Sequence, residues 1–279
     1  MSNADCRKSF ERALVELRSG NAAAAIPFLE DATRDPQLAY APSVLKYARA
    51  LANNQRVAEV KYLDKSFKFA LSRANFGLSI HHADGRFFEA RELIYISQMV
   101  PQRATIVDVG ANSGNHVIFY LGVMRPSLVV PVEPVPASVD ALQENLRLNN
   151  FTVDTRGLGV AAAEHSGWTA VQVGDRDLVE ARTISDHEAP GATRVRATPL
   201  DDLIPERVDF LKVDVEGFEL PVLRGARRIL SEDKPLIMIE ANRHQREQIL
   251  QHLGQFNYKL FGQVEGVGYH NLFLRVFST

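Results

Sequence analysis

Three carboxylates in this 279-residue chain stand at or near the ends of apolar, β-branched runs: Asp108 within Thr105–Val109, Glu133 after Leu128–Val132, and Asp214 after Val208–Val213. Runs of this kind read as strands buried on both faces of a parallel sheet. Open α/β sheets bind ligands outside the carboxyl ends of their strands, so the three acids belong to one ligand-binding edge. Their negative field suits a cationic ligand. Asp214 is followed by Glu216 and Glu219, and a carboxylate at that point can take a proton from a bound hydroxyl. Glu240 and Asn242 close a further run, Leu236–Ile239, and fall beside Asp214 if neighbouring strands pair. Such an oxygen-rich trio of Asp214, Glu240 and Asn242 can hold Mg2+ or an acceptor by hydrogen bonds. The second use is the preferred reading, and no metal ligand set is assigned.

The nature of the ligand follows from Asp108-Val109-Gly110-Ala111-Asn112-Ser113-Gly114-Asn115, which reads as a strand end, a tight turn and a helix start. Glycines there let backbone amides approach a ligand with no side chain between. Dinucleotide folds space three glycines so that the middle one touches a pyrophosphate. Asn112 occupies that middle position. Its side chain crowds a pyrophosphate but leaves room for S-adenosylmethionine, which carries none. Gly110, Asn112, Gly114 and Asn115 are therefore expected around the methionine end of that cofactor, with Asp108 accepting from its ammonium directly or through water. Glu133 lies about 20 residues on, where an acid accepts the ribose hydroxyls in dinucleotide folds. Asp108 can instead cap its own turn. An NAD-dependent oxidoreductase shares the strand-turn-helix and Glu133, and Asn112 argues against it. A non-catalytic protein that binds the cofactor and a partner is the remaining alternative.

Lys212 precedes Asp214 by two and shares its face in an extended strand, which predicts an ion pair with Asp214 or Glu240. Glu219 is expected to cap the following helix or to face solvent. Of eight histidines, His116, His81 and His82 are the ones worth testing as bases, although ordinary packing explains each of them. No His and Cys spacing supports a transition-metal centre, and no serine elbow supports hydrolase chemistry. Cys6 is the sole cysteine, which excludes an intrachain disulfide and fits a reducing cytoplasm. A net charge of −2 provides no basic field for nucleic acid. No apolar run reaches membrane-spanning length, and the amino terminus lacks a secretory apolar region.

Six segments resemble, in order, the successive motifs of the FkbM-type methyltransferases. They are Val107–Gly114, Glu133-Pro134-Val135-Pro136, Asn145–Asn149, Leu200-Asp201-Asp202-Leu203, Leu211–Glu219 and Val222-Leu223-Arg224-Gly225-Ala226. The similarity runs from about residue 85 to residue 279. It implies a class I S-adenosylmethionine-dependent fold and O-methylation of a sugar or secondary-metabolite hydroxyl. It also implies an adenine pocket at Gly159 and Val160, Asp214 at the cofactor as well as at the acceptor, and Asp214, Glu216 and Glu240 as the catalytic acids.

Positioning these residues requires a doubly wound, mostly parallel seven-stranded sheet with an antiparallel terminal strand. An apolar content of 46% supports a large core rather than disorder. Thr105–Val109, Leu128–Val132, a short run near Phe151–Thr155, Val208–Val213 and Leu236–Ile239 supply the parallel strands. Tyr258–Phe261 and Asn271–Val276 read as a closing pair. Trp168–Val173 alternates as an edge strand inside a polar insertion, Ser166–Thr198, that has the length of a lid and contains a turn at Pro190-Gly191. Upstream, residues 1–55 form a helical segment similar to a tetratricopeptide repeat. One repeat and a fraction cannot stand alone, so packing on the catalytic domain, a homodimer contact or a protein partner is expected of it. Residues 56–100 form a junction with an alternating Phe67, Phe69, Leu71 strand and a helix from about Arg86 to Gln98. Residues 101–279 form the cofactor-binding domain.

Overall fold

The computed structural model describes residues 2–72, 75–173, 181–184, 192–266 and 268–277. The chain divides into two compact units, Met1–Phe88 and Glu89–Thr279. Among the described residues no helix is long and apolar enough to cross a membrane.

The first unit opens with α1 (Asn3–Arg18), α2 (Ala22–Ala32) and α3 (Ala41–Ala52). Ser2 caps α1 reciprocally with Asp5: the Ser2 hydroxyl accepts from the Asp5 amide at 3.3 Å, and the Asp5 carboxylate accepts from the Ser2 amide at 3.0 Å. The chain then forms an antiparallel hairpin, β1 (Val57–Tyr62) and β2 (Lys65–Ala70), and α4 (Phe76–Ala83). Phe67 and Phe69 alternate on β2 as expected and both are buried. The apolar face of the three helices, including Leu17, Leu29, Val44 and Tyr47, is covered within the unit by Ala58, Leu71 and Ile80. The hairpin and α4 thus supply packing that a lone helical repeat lacks.

The second unit contains α5 (Ala90–Met99), β3 (Thr105–Val109), α6 (Asn115–Phe119, continued by a π-turn over Tyr120–Met124), β4 (Leu128–Val132) and α7 (Pro136–Asn149). Helix α5 starts later than the sequence pattern suggests because Glu89 takes left-handed backbone angles, φ 52°, at its cap. After β5 (Val160–Ala162), β6 (Gly167–Val173), β7 (Ala181–Ile184) and β8 (Ala192–Thr198) come α8 (Leu200–Leu203), β9 (Phe210–Val213) and α9 (Glu219–Arg224). The unit closes with β10 (Leu236–Asn242), α10 (Arg246–Gly254), β11 (Tyr258–Glu265) and β12 (Tyr269–Val276).

The main sheet has the order β11-β12-β10-β9-β3-β4. Strands β4, β3, β9 and β10 are parallel, and β12 runs antiparallel to β10. This is the doubly wound arrangement with an antiparallel terminal pair that the sequence predicts, with six strands among the described residues where seven are expected. The strand expected near Phe151–Thr155 does not form. In its place three backbone bonds run along β4: Asp154 donates to Val129, Glu133 to Gly157 and Gly159 to Glu133, at 3.1, 3.1 and 2.8 Å. Val129 and Glu133 turn their backbone groups to that side, so Pro131 between them does too, and proline has no N–H to continue a ladder. Asp154 also accepts from the Arg156 amide at 2.9 Å, a local turn that competes with a strand.

A second sheet has the order β5-β8-β6-β7. Trp168–Val173 is therefore not an edge strand, since β6 pairs with β8 on one side and β7 on the other. Pro190-Gly191 and much of the insertion read as a lid lie outside the described residues.

Period-two alternation separates the two faces of the main sheet. Val107, Val109, Leu211, Val213, Ile237, Ile239, Leu272 and Leu274 belong to the largest core cluster. In register on the opposite face, Asp108 lies beside Lys212, Lys212 beside Met238, and Glu240 beside Asn271. Four adjacent strands thus each place a polar residue on this face, Asp108, Lys212, Glu240 and Asn271, with Met238 between Lys212 and the next strand.

Candidate cofactor and acceptor site

The turn after β3 is built by backbone constraint. Gly110 has φ +79°, and a Cβ placed on it would lie 1.7 Å from the Asp214 carbonyl oxygen. The glycine turn and the end of β9 are thus in direct backbone contact, which no residue with a side chain permits. Asn112 also has positive φ, 47°, and its side-chain oxygen accepts from the Ser113 amide at 2.7 Å, the local bond that lets asparagine adopt this conformation. Gly114, φ +82°, is the N-cap of α6, and a Cβ there would press on Leu142 of α7 at 3.0 Å. Asn145 of α7 donates to the Ser113 carbonyl at 2.8 Å and ties the turn down. Asn115, the first residue of α6, is buried beside His116.

Glu133 follows β4 with its carboxylate turned back on the chain. One oxygen accepts from the Asn112 amide at 2.8 Å and the other from the Val135 amide at 2.9 Å. Burial pushes the carboxyl up to about 7 against these two bonds. Each oxygen retains a second lone pair for a ligand hydroxyl. Gly159, φ +76°, follows, and a Cβ on it would meet nothing within 4 Å, so space is open over this backbone. Val160 is buried at the start of β5.

At the ends of β9 and β10, ligand oxygens of Asp214, Glu216 and Glu240 lie within 4.8 Å of one another, and all three residues are part-exposed. Three ionised carboxylates at that spacing repel, so a proton or an added positive charge must offset them. Burial, then Asp214, Glu216 and Glu89, push the Glu240 carboxyl up to about 9. Lys212 stands behind the trio, its side chain 3% exposed, 3.2 Å from Asp214 and 3.4 Å from Asp108. Burial opposes its charge, but Asp108, Asp214 and Glu89 outweigh that and hold it protonated. The predicted ion pair of Lys212 with Asp214 is present, and Asp108 is its second partner. Asp108 is wholly buried and neither of its oxygens has a hydrogen bond among the described residues. That spare acceptor capacity, the open space over Gly159 and the free lone pairs of Glu133 fit a cofactor with an ammonium, a purine and a ribose.

One sequence expectation is corrected by the geometry, and another is narrowed to the first of its two alternatives. Asn242 is not part of the acidic group: its oxygen accepts from the His244 and Gln245 amides, both at 3.0 Å, and its nitrogen donates to Gln245 at 2.8 Å. Glu216 occupies the third place beside Asp214 and Glu240. Glu219 does not face solvent; it is buried and accepts from the Gly217 amide at 2.9 Å, closing the turn ahead of α9.

Other members of the site carried weaker signals. His116 pairs with Glu89 at 3.2 Å, with side chains 7% and 4% exposed. Burial would raise the Glu89 carboxyl, but His116, Lys212 and Asn271 outweigh it and hold it below its ordinary value. Asn271 donates to Glu89 and stands opposite Glu240 on β12. Its place in the apolar run Leu272-Phe273-Leu274 was a legible sign, as Lys212 was between Leu211 and Val213. Tyr120 is buried with no hydrogen-bond partner for its hydroxyl among the described residues. His81 and His82 belong to the other unit, where His82 stacks on Phe69 at 3.8 Å.

Comparisons with known proteins place the chain in a family. The family described as the methyltransferase FkbM domain matches residues 108–262, more than half of the chain. Methyltransferase sdnD of Sordaria araneosa is 27% identical over 159 residues, covering 45% of this chain and 61% of that protein. Methyltransferase 1 of Beauveria bassiana (strain ARSEF 2860) is 27% identical over 147 residues, covering 45% and 59%. The match spans about three-fifths of the length of each of these relatives. Among solved structures, methyltransferase FkbM from Methylobacillus flagellatus KT is similar at 20% identity and a TM-score of 0.45, over 84% of this chain and 61% of that one. The ribosomal protein L11 methylase from Lactobacillus delbrueckii subsp. bulgaricus is similar at 16% identity and a TM-score of 0.45, over 68% and 81%. With the strand-end acids and the glycine turn in the places where the matched segment begins and continues, the chain belongs to the methyltransferase FkbM domain family.

Proposed function

We propose that the chain is an S-adenosylmethionine-dependent methyltransferase that methylates a hydroxyl of a sugar or secondary-metabolite acceptor. The observation that carries this reading is the contact of the glycine turn with Asp214, which puts the acidic trio directly beside the expected cofactor cradle. The backbone of Gly110, Asn112 and Gly114, with Asn115 behind it, would receive the methionine end and Glu133 the ribose. The adenine would cover Gly159 and Val160, and Asp108 would accept from the ammonium directly or through water. The cofactor supplies a methyl group on a sulfonium. Methyl transfer is an in-line displacement, so holding acceptor oxygen and donor carbon in line provides much of the barrier reduction. Asp214, Glu216 and Glu240 would hold the acceptor hydroxyl and take its proton, and their field favours the cation that precedes transfer. The lone cysteine, Cys6, fits a reducing cytoplasm for this chemistry.

Equilibrium dialysis with methyl-labelled S-adenosylmethionine, followed by incubation with a panel of sugars and polyhydroxylated metabolites, tests the reading. The expected result is saturable binding and label that enters an acceptor in a form stable to mild base, as an ether is and an ester is not. Absence of binding removes the cofactor assignment; base-labile label moves the acceptor atom to a carboxylate.

A further inference from the structure

Charge accounting at the strand ends points to a step that precedes methyl transfer. Glu240 faces Asp214 and Lys212 on β9, Glu216 in the following turn, Asn271 and Tyr269 on β12, and Glu89 at the cap of α5, with His116 behind Glu89. Lys212 is already shared between Asp108 and Asp214 at 3.4 and 3.2 Å, and His116 is matched by Glu89 at 3.2 Å. Lys212 is therefore not left to the trio alone, whose oxygens lie within 4.8 Å of one another. Asp108, wholly buried on the far side of Lys212, draws on that same ammonium.

Resting on the S-adenosylmethionine reading, we propose that Glu240 carries a proton in the empty site and loses it to solvent when the sulfonium cation arrives. Cofactor binding thereby creates the base that the acceptor needs. The charge balance closes over a turnover. Binding replaces one proton on Glu240 by one positive charge on sulfur. During transfer, the acceptor oxygen forms its bond to the methyl carbon, the carbon–sulfur bond breaks with its electron pair going to sulfur, and the hydroxyl proton passes to the Glu240 carboxylate. The thioether product leaves a site that again holds its proton, so product release exchanges none. Every state then has the same net charge beside Asp214 and Glu216, and the base is absent while no donor is bound.

The burial and acidic neighbours that lift Glu240 to about 9 set the window. Below that pH the empty site is protonated; above it there is nothing left to release. The test is isothermal calorimetry of the full chain in buffers of different ionisation enthalpy, with S-adenosylmethionine and separately with S-adenosylhomocysteine. Both ligands carry the same amino and carboxyl groups, and once the separately titrated ionisation of each free ligand's amine is subtracted, their difference isolates the sulfonium. Near pH 8 the expected difference is release of about one proton, declining to zero as pH rises past 9. Glu240→Gln should abolish the difference. Glu216→Gln, which removes a neighbouring negative charge and leaves the proton-bearing group in place, should move the decline to lower pH. Binding of both ligands with equal proton release overturns the proposal, as does a full difference retained in Glu240→Gln. Failure of both ligands to bind overturns the cofactor reading instead.

Discussion

Lys212 shows what a single residue commits the fold to. Its ammonium is withdrawn from water and lies within reach of two carboxylates, Asp108 and Asp214, of which Asp108 has no exposure at all. A buried pair of this kind is weak evidence of net stabilisation, but removing one partner leaves a charge without compensation and costs about 3–5 kcal/mol. Lys212→Met is expected to lose that much in urea unfolding at pH 7. The loss should shrink at pH 5, where the abandoned Asp108 can take up a proton, and Asp108→Asn in the same chain should recover part of it. A loss below about 1 kcal/mol at both pH values, the level of an exposed pair, would show that the charges are solvated after all. At this scale much of the site was legible. Asp108, Glu133, Asp214, Glu216 and Glu240 announce themselves as acids where apolar strands stop, and Lys212 as a cation inside one. Glu89 did not. It joins through a left-handed backbone position and a contact with Asn271 far away in sequence, and neither leaves a local pattern.

The elements convert these residues into a site through two backbone approaches, and the glycines separate cleanly by what surrounds them. Gly110→Ala would place a methyl 1.7 Å from the Asp214 carbonyl, and because both partners are main chain, the end of β3 and the end of β9 would have to part. Loss of cooperative folding, or a drop in melting temperature beyond what left-handed strain explains, is expected. Gly159→Ala meets open space and should cost only the left-handed penalty of about 1–2 kcal/mol, leaving a folded protein whose S-adenosylmethionine affinity reports the adenine pocket. Comparable melting temperatures for the two variants would refute this distinction. Element boundaries were less legible than element types. The run at Phe151–Thr155 has strand composition, yet the ladder it needed is interrupted by Pro131 on the neighbouring strand, a pairing that composition does not reveal. Trp168–Val173 alternates like an edge strand because it is polar on one face, and only the return of β7 makes it internal.

For the molecule as a whole, the buried acids set the direction in which pH acts. Glu133 and Glu240 are lifted to about 7 and about 9, whereas an unfolded glutamate titrates near 4.3. Between those values the folded chain retains protons that the unfolded chain has shed. Their contribution to stability is therefore complete below the unfolded value and is lost as pH rises through the folded ones. Asp84, Asp154 and Glu206 act in the opposite sense: all lie below their ordinary values. Asp154 and Glu206 are held there by hydrogen bonds to Arg156, and Asp84, despite some burial, by Lys46, Ser43 and Arg86. Their smaller, solvent-screened contributions fade as pH falls. The expected profile of melting temperature against pH is highest near the unfolded glutamate value of about 4.3 and falls above it in two stages, steeply until Glu133 ionises near 7 and less steeply until Glu240 ionises near 9, each kcal/mol appearing as roughly 2–4 °C in a chain of this size. Glu240→Gln should remove the upper stage and leave the lower one. Saturating S-adenosylmethionine should also flatten the upper stage, because a cation beside Asp214 lowers the pH at which Glu240 ionises. S-adenosylhomocysteine should raise the whole curve without flattening it, since it brings no sulfonium charge. Scanning calorimetry of the three forms across pH 5 to 10 checks this, and a profile rising monotonically to pH 10 would mean that neither glutamate holds its proton in the folded chain.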